Sequence, residues 1–70
     1  MKYAVILEQG DDGYGAYGPD LPGSIAAGET REEVKKLIQE AIESRIEGLK
    51  EDGQPFPAPA SGIEFIVVAA

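Results

Sequence analysis

From Pro19 to Glu33 the chain runs Pro-Asp-Leu-Pro-Gly-Ser-Ile-Ala-Ala-Gly-Glu-Thr-Arg-Glu-Glu, and no other stretch constrains the fold as much. Pro19 and Pro22 fix φ and remove backbone donors, Asp20 can bond back to the main chain, and Gly23 tolerates a left-handed conformation. The stretch therefore opens as a tight turn. Ser24 to Ala27 follows as a brief strand that Gly28 ends. Thr30 and Glu33 have the spacing of a capping box, in which each side chain satisfies a backbone N–H at a helix entrance. Extended chain is expected before this segment and helix after it.

Upstream, Tyr3 to Glu8 alternates, with Tyr3, Val5 and Leu7 on one face of a first strand and Ala4, Ile6 and Glu8 on the other. Gln9-Gly10-Asp11-Asp12-Gly13 is turn chemistry, so Tyr14 to Tyr17 is expected to return as strand two of a hairpin. Gly13, Gly15 and Gly18 bracket the two tyrosines, but a phosphate-binding loop needs a lysine and a following helix, and neither is present. Downstream, Val34, Leu37, Ile38, Ala41, Ile42, Ile46 and Leu49 form a helical stripe over Arg31 to Glu51, and Gly53 is placed as a left-handed cap. Such a helix is about 30 Å long and would overhang a short strand. The proline-rich run from Gln54 to Gly62 favours an extended connection, after which Ile63 to Val68 is expected as a last strand. The expected fold is α+β, in the order β-β-β-α-β. It is a single domain over residues 1–70, a four-stranded sheet with one helix on one face, strand four lying parallel beside strand one.

A chain of 70 residues builds only a thin core, and without cysteine or histidine it can use neither disulfides nor the usual zinc ligand sets. Packing and oligomerisation are the remaining sources of stability. One helix covers one face of the sheet, so Ala4, Ile6, Ile66 and Val68 are expected to form an apolar patch on the other, and a homo-oligomer, dimer or tetramer, is expected from it. The net charge of −7, with only six Lys and Arg, argues against direct nucleic-acid binding. It suits a basic partner, or serves solubility alone. The apolar run at the N-terminus is too short for a secretory signal and no stretch approaches a membrane span, so a cytoplasmic protein is expected.

Glu8, Asp11, Asp12 and Asp20 are the candidate carboxylates for metal binding or acid–base work, but Asp11 and Asp12 occupy a turn where aspartate is routine, and the calcium-loop spacing is absent. Arg45 falls inside the apolar stripe of the helix. Its stem either packs while the head reaches water, or the guanidinium pairs with a carboxylate at an interface. Tyr14 and Tyr17, beside Asp20-Leu21-Pro22, put aromatic and acidic groups on one glycine-flexible edge. Such a surface suits protein recognition.

Tyr3-Ala4-Val5-Ile6-Leu7-Glu8, Asp12-Gly13-Tyr14, Tyr17 with Pro19-Asp20-Leu21-Pro22-Gly23, and Gly28-Glu29-Thr30-Arg31-Glu32-Glu33 together resemble the HicB antitoxin family. So do Glu40-Ala41-Ile42-Glu43, Ile46-Glu47-Gly48-Leu49 and Glu51-Asp52-Gly53-Gln54-Pro55, and the order and spacing of these motifs cover nearly the whole chain. The resemblance implies a partly degraded ribonuclease H-like fold without that fold's catalytic carboxylates. It also implies a non-enzymatic antitoxin that binds and neutralises a small basic mRNA-cleaving toxin of HicA type. An acidic protein covering a basic, RNA-seeking surface is electrostatically reasonable. Family members often carry Cys and His where Ser24 and Arg45 stand, so no thiol or metal role follows, and no cofactor is expected. Many continue into a C-terminal DNA-binding domain, which is not expected here. The partner-binding residues expected are Tyr14, Tyr17, Asp20, Leu21 and Arg45. The alternative is a small-ligand-binding or regulatory oligomeric module without a toxin partner.

Overall fold

The computed structural model describes residues 1–69. Three strands, β1 (Ile6–Gly10), β2 (Gly13–Tyr17) and β3 (Ile25–Gly28), form an antiparallel sheet in the order β1-β2-β3, and the helix α1 (Arg31–Glu51) follows. β1 begins at Ile6 rather than Tyr3 because β2 ends at its partner, Tyr17, and residues before Ile6 have nothing to pair with on that side. The hairpin needs glycine at one point in particular. Gly13 has φ +150°, and a β-carbon there would stand 2.4 Å from the Gly28 carbonyl oxygen.

Both ends of α1 are set by local chemistry. The Thr30 hydroxyl accepts the Glu33 N–H at 3.1 Å. The Glu33 carboxyl lies against Gly28, its nearest atoms 3.0 Å from where a β-carbon would be. At the far end Gly53 adopts φ +69°, with Gly53 N–H bonded to the Lys50 carbonyl at 3.1 Å and Gln54 N–H to the Leu49 carbonyl at 2.9 Å. This pair of bonds is a Schellman closure, which a left-handed glycine permits. Lys50 then sits 5.5 Å over the Phe56 ring and ties the helix end to the following segment.

The helix lies across β2 and β3, and of β1 the side chain of Leu7 reaches its apolar face. Val34, Ile38 and Ile42 project from it, spaced by four residues, and meet Ala16 of β2 and Leu21 in the core, with Tyr3, Val5, Leu7, Tyr14, Ala26 and Ile46 packed around them. Leu21 and Val34 are the most completely buried large side chains, and burying each one stabilises the fold by about 1.5–3 kcal/mol. Leu21 reaches the core because residues 18–24 fold back on themselves. Leu21 N–H bonds the Gly18 carbonyl, Ser24 N–H the Leu21 carbonyl and Gly18 N–H the Ser24 carbonyl, each at 3.1 Å.

The four-stranded, ribonuclease H-like arrangement expected from the sequence is corrected by this structure to three antiparallel strands and one helix, β-β-β-α, still of α+β class. Residues 63–68 have the composition of a strand, but strand propensity does not supply a ladder. The segment before them is fastened at two points, beside the start of β1 and at the turn after β2. Tyr3 donates its hydroxyl hydrogen to the Pro57 carbonyl, and Asp20 accepts from Ala60 and Ser61. Beyond that point, among the described residues, no backbone hydrogen bond ties the run to β1, and Phe65 and Val67 stand 93% and 99% exposed.

Candidate functional site

Strand register decides which side chains share a surface. Leu7, Ala16 and Ala26 are aligned across the three strands and face the helix. Alternation therefore turns the aligned row Ile6, Tyr17 and Ile25 to the open face, with the row Glu8, Gly15 and Ala27 beside it. Tyr17 and Ile25 are 42% and 71% exposed. This is an apolar strip with an aromatic at its centre. Next to it a shallow hollow of about 600 Å³ opens where Gly15 contributes no side chain, and Glu8, Asp12 and the edge of Tyr14 line it. A carboxylate-lined hollow beside an aromatic anchor suits the cationic side chain of a protein partner.

The expected partner-binding residues are not brought together. Tyr14 and Tyr17 are three residues apart in one strand, so they point to opposite faces, and Tyr14 packs against the core. Leu21 is a core residue with 1% of its surface exposed. Asp20 is committed within the chain. One carboxylate oxygen accepts the Ala60 and Ser61 N–H groups, both at 2.9 Å, and the other accepts the Ser61 hydroxyl at 2.7 Å. These bonds, led by the Ser61 N–H, hold its carboxyl below the ordinary aspartate range. Arg45 is exposed near the C-terminal end of α1, where it borders a shallow depression with Gly48 and Asp52, in a different layer from Tyr17. Of the expected oligomer residues, Ala4 and Ile6 are half-buried, whereas Ile66 and Val68 lie in the unpaired tail and not beside them in the sheet.

Two further features were not singled out from the sequence. Ile25 joins Tyr17 only through the β2–β3 register, a signal that appears once both strands are aligned. Ser24 is 3% exposed and, among the described residues, its buried hydroxyl has no hydrogen-bond partner. Among the described residues no group of three or more acidic side chains is placed to hold a metal ion, and no helix is long and apolar enough to cross a membrane.

Residues 3–69 match the profile described as the HicB_like antitoxin of bacterial toxin-antitoxin system. An uncharacterised 14.9 kDa protein of Haemophilus phage HP1 is 40% identical over 81% of this chain and 43% of its own length. Antitoxin HicB 2 of Photorhabdus laumondii is 32% identical over 100% of this chain and 51% of its own length. This chain thus spans about half the length of those two relatives. A protein of Thermoplasma acidophilum in the UPF0150 group is 41% identical over 81% of this chain and 84% of its own. Among solved structures, a chain of the HicA3 and HicB3 toxin-antitoxin complex superposes with a TM-score of 0.71 at 32% identity, covering 86% of this chain and 70% of that one. A profile match over nearly every residue, joined to relatives and a solved structure that agree with it, shows that this chain belongs to the HicB-like antitoxin family.

Proposed function

We propose that this chain is a single non-catalytic domain that binds and neutralises a small, basic, mRNA-cleaving toxin of HicA type in the cytoplasm. The observation that carries the reading is the 32% identity and TM-score of 0.71 to a chain of a HicA–HicB complex. The open sheet face supports it. Tyr17 and Ile25 supply an aromatic and apolar centre, and Glu8 and Asp12 supply carboxylates at its side. On a chain of net charge −7, that face attracts a basic protein from a distance and meets it with an anchor at contact. The toxin surface then loses its access to RNA by being covered. Blocking a surface needs no bond-making residue in the antitoxin, which agrees with Asp20 being engaged by the chain's own backbone.

The reading is tested by adding the purified chain to a HicA-type toxin from the same genome and following cleavage of an mRNA substrate. Cleavage should stop as the chain approaches a stoichiometric amount. Undiminished cleavage at a tenfold excess would falsify the proposal.

A further inference from the structure

The row of Glu8, Gly15 and Ala27 on the open face has no side chain at its middle position. Glycine at the centre of a central strand weakens the sheet, because it loses the most backbone entropy on folding and offers nothing to pack. Such a residue marks a bulge, a tight bend, or a place where something approaches the backbone closely. The register excludes the first two, since β2 pairs residue for residue with β1 and with β3 through Gly15. Its φ is not in the left-handed region, and a β-carbon there would meet nothing nearer than the Ala26 carbonyl oxygen at 3.8 Å, an ordinary contact. At Gly13 and Gly28, by contrast, a β-carbon would collide with the Gly28 carbonyl and crowd the Glu33 carboxyl. The fold makes no such demand at Gly15, which leaves close approach from outside.

We propose that Gly15 is a specificity residue of this face, whose bare backbone admits the guanidinium of one arginine from a basic protein partner, held between the Tyr17 ring and the Glu8 carboxylate. The assignment rests on reading the open face as the partner-binding face, and it names the side chain that face takes.

Tyr17 lies two residues along β2 from Gly15, on the same face, and is 42% exposed. Glu8 stands directly opposite Gly15 on β1, so this exposed residue is the diagonal neighbour of the Tyr17 ring. Diagonal neighbours in an antiparallel pair are about 7–8 Å apart. That span holds one planar cation, stacked on the ring and hydrogen-bonded to the carboxylate. A branched or aromatic side chain at position 15 would occupy the same space. Arginine suits it better than lysine, because the guanidinium is flat, weakly hydrated and forked, whereas an ammonium is a compact and strongly hydrated point charge. Asp12, exposed in the hairpin turn at the side of the same hollow, and the net charge of −7 favour a cation over a neutral group. Ala27 on β3 keeps the other wall of the hollow low.

Titration of the nitrogen-15-enriched chain with N-acetylarginine methylamide, at up to tens of millimolar, tests the site without any toxin. The amides of Gly15, Tyr17 and Ala27 should shift saturably, and the lysine counterpart should bind roughly two- to fivefold more weakly. Gly15→Val should abolish these shifts while its melting temperature stays at or above that of the wild type, because valine suits a strand. Glu8→Gln, an exposed change that leaves the strand floor as it is, should weaken the arginine probe by a similar roughly two- to fivefold and carries the test if valine perturbs the sheet. Against a HicA-type toxin from the same genome, Gly15→Val should bind roughly tenfold more weakly or worse. No shift at Gly15, equal affinity for the two probes, an unchanged Glu8→Gln, or toxin binding by a folded Gly15→Val equal to that of the wild type overturns the assignment. A wild type that takes the arginine probe at Gly15 but binds no toxin supports the site, and it is then the toxin reading that fails.

Discussion

Asp20 and Ser61, 41 positions apart, are joined twice, the Ser61 hydroxyl donating to Oδ1 at 2.7 Å and the Ser61 N–H to Oδ2 at 2.9 Å. A third bond, from Ala60 N–H to Oδ2, makes the carboxylate a clamp on the proline-rich connection. The turn that buries Leu21 therefore also decides where the tail departs.

The clamp is charge-dependent, and its sign follows from the bonds. All three donors favour the ionised carboxylate, so the folded-state pKa lies below the ordinary value of 3.8. A depressed carboxylate stabilises the fold above the unfolded pKa and loses that contribution as pH falls through the folded one. The Ala60 and Ser61 amides should hold their bonded chemical shifts down through the ordinary aspartate range and move toward free values only as the pH falls through the lowered pKa of Asp20. Asp20→Asn should shift both amides at every pH. An unchanged pair in that variant contradicts the clamp.

Ser24 offers a gain in stability. Its hydroxyl is buried without a partner, and an unsatisfied buried polar group costs about 1–3 kcal/mol. Ser24→Ala should raise the melting temperature by roughly 4–8 °C, the response of a domain this small to about 1 kcal/mol. A lower melting temperature would show that the hydroxyl is satisfied in solution.

Leu21 is a packing residue, and its removal should act on stability before it acts on any partner. Leu21→Ala should cost about 2–5 kcal/mol in urea unfolding, enough to unfold much of a domain of this size. A variant that keeps wild-type stability and loses only partner binding would contradict the packing role of Leu21.

How far the sequence discloses this arrangement depends on how local each feature is. The helix is legible to both ends because its caps, Thr30 with Glu33 and Gly53 with Gln54, are short-range bonds between residues that can be identified in the sequence. Tyr3, Val5 and Leu7 are legible as the inward face because strand alternation is also local. The same rule applied to Tyr14 and Tyr17 turns them to opposite faces of β2, which their proximity in sequence does not show. Leu21 has no periodicity to betray it, since it sits in a turn between two prolines and is buried only when residues 18–24 close. The clamp between Asp20 and Ser61 joins distant polar residues and leaves no pattern in either. Residues 63–68 look like a strand in any composition argument, and what decides their state is a neighbour that composition cannot supply.

The most direct measurement is calorimetric titration of a HicA-type toxin from the same genome with the wild-type chain and with Tyr17→Ala and Tyr14→Phe in parallel. The account predicts tight, salt-sensitive binding by the wild type. Tyr17→Ala, which removes the exposed aromatic at the centre of the open face, should weaken it by about 2 kcal/mol, roughly thirtyfold, without loss of folding. Tyr14→Phe, which removes only a hydroxyl and keeps the ring that packs against the core, should bind as the wild type does. No detectable binding by the wild type, or equal affinity for wild type and Tyr17→Ala, would contradict the account.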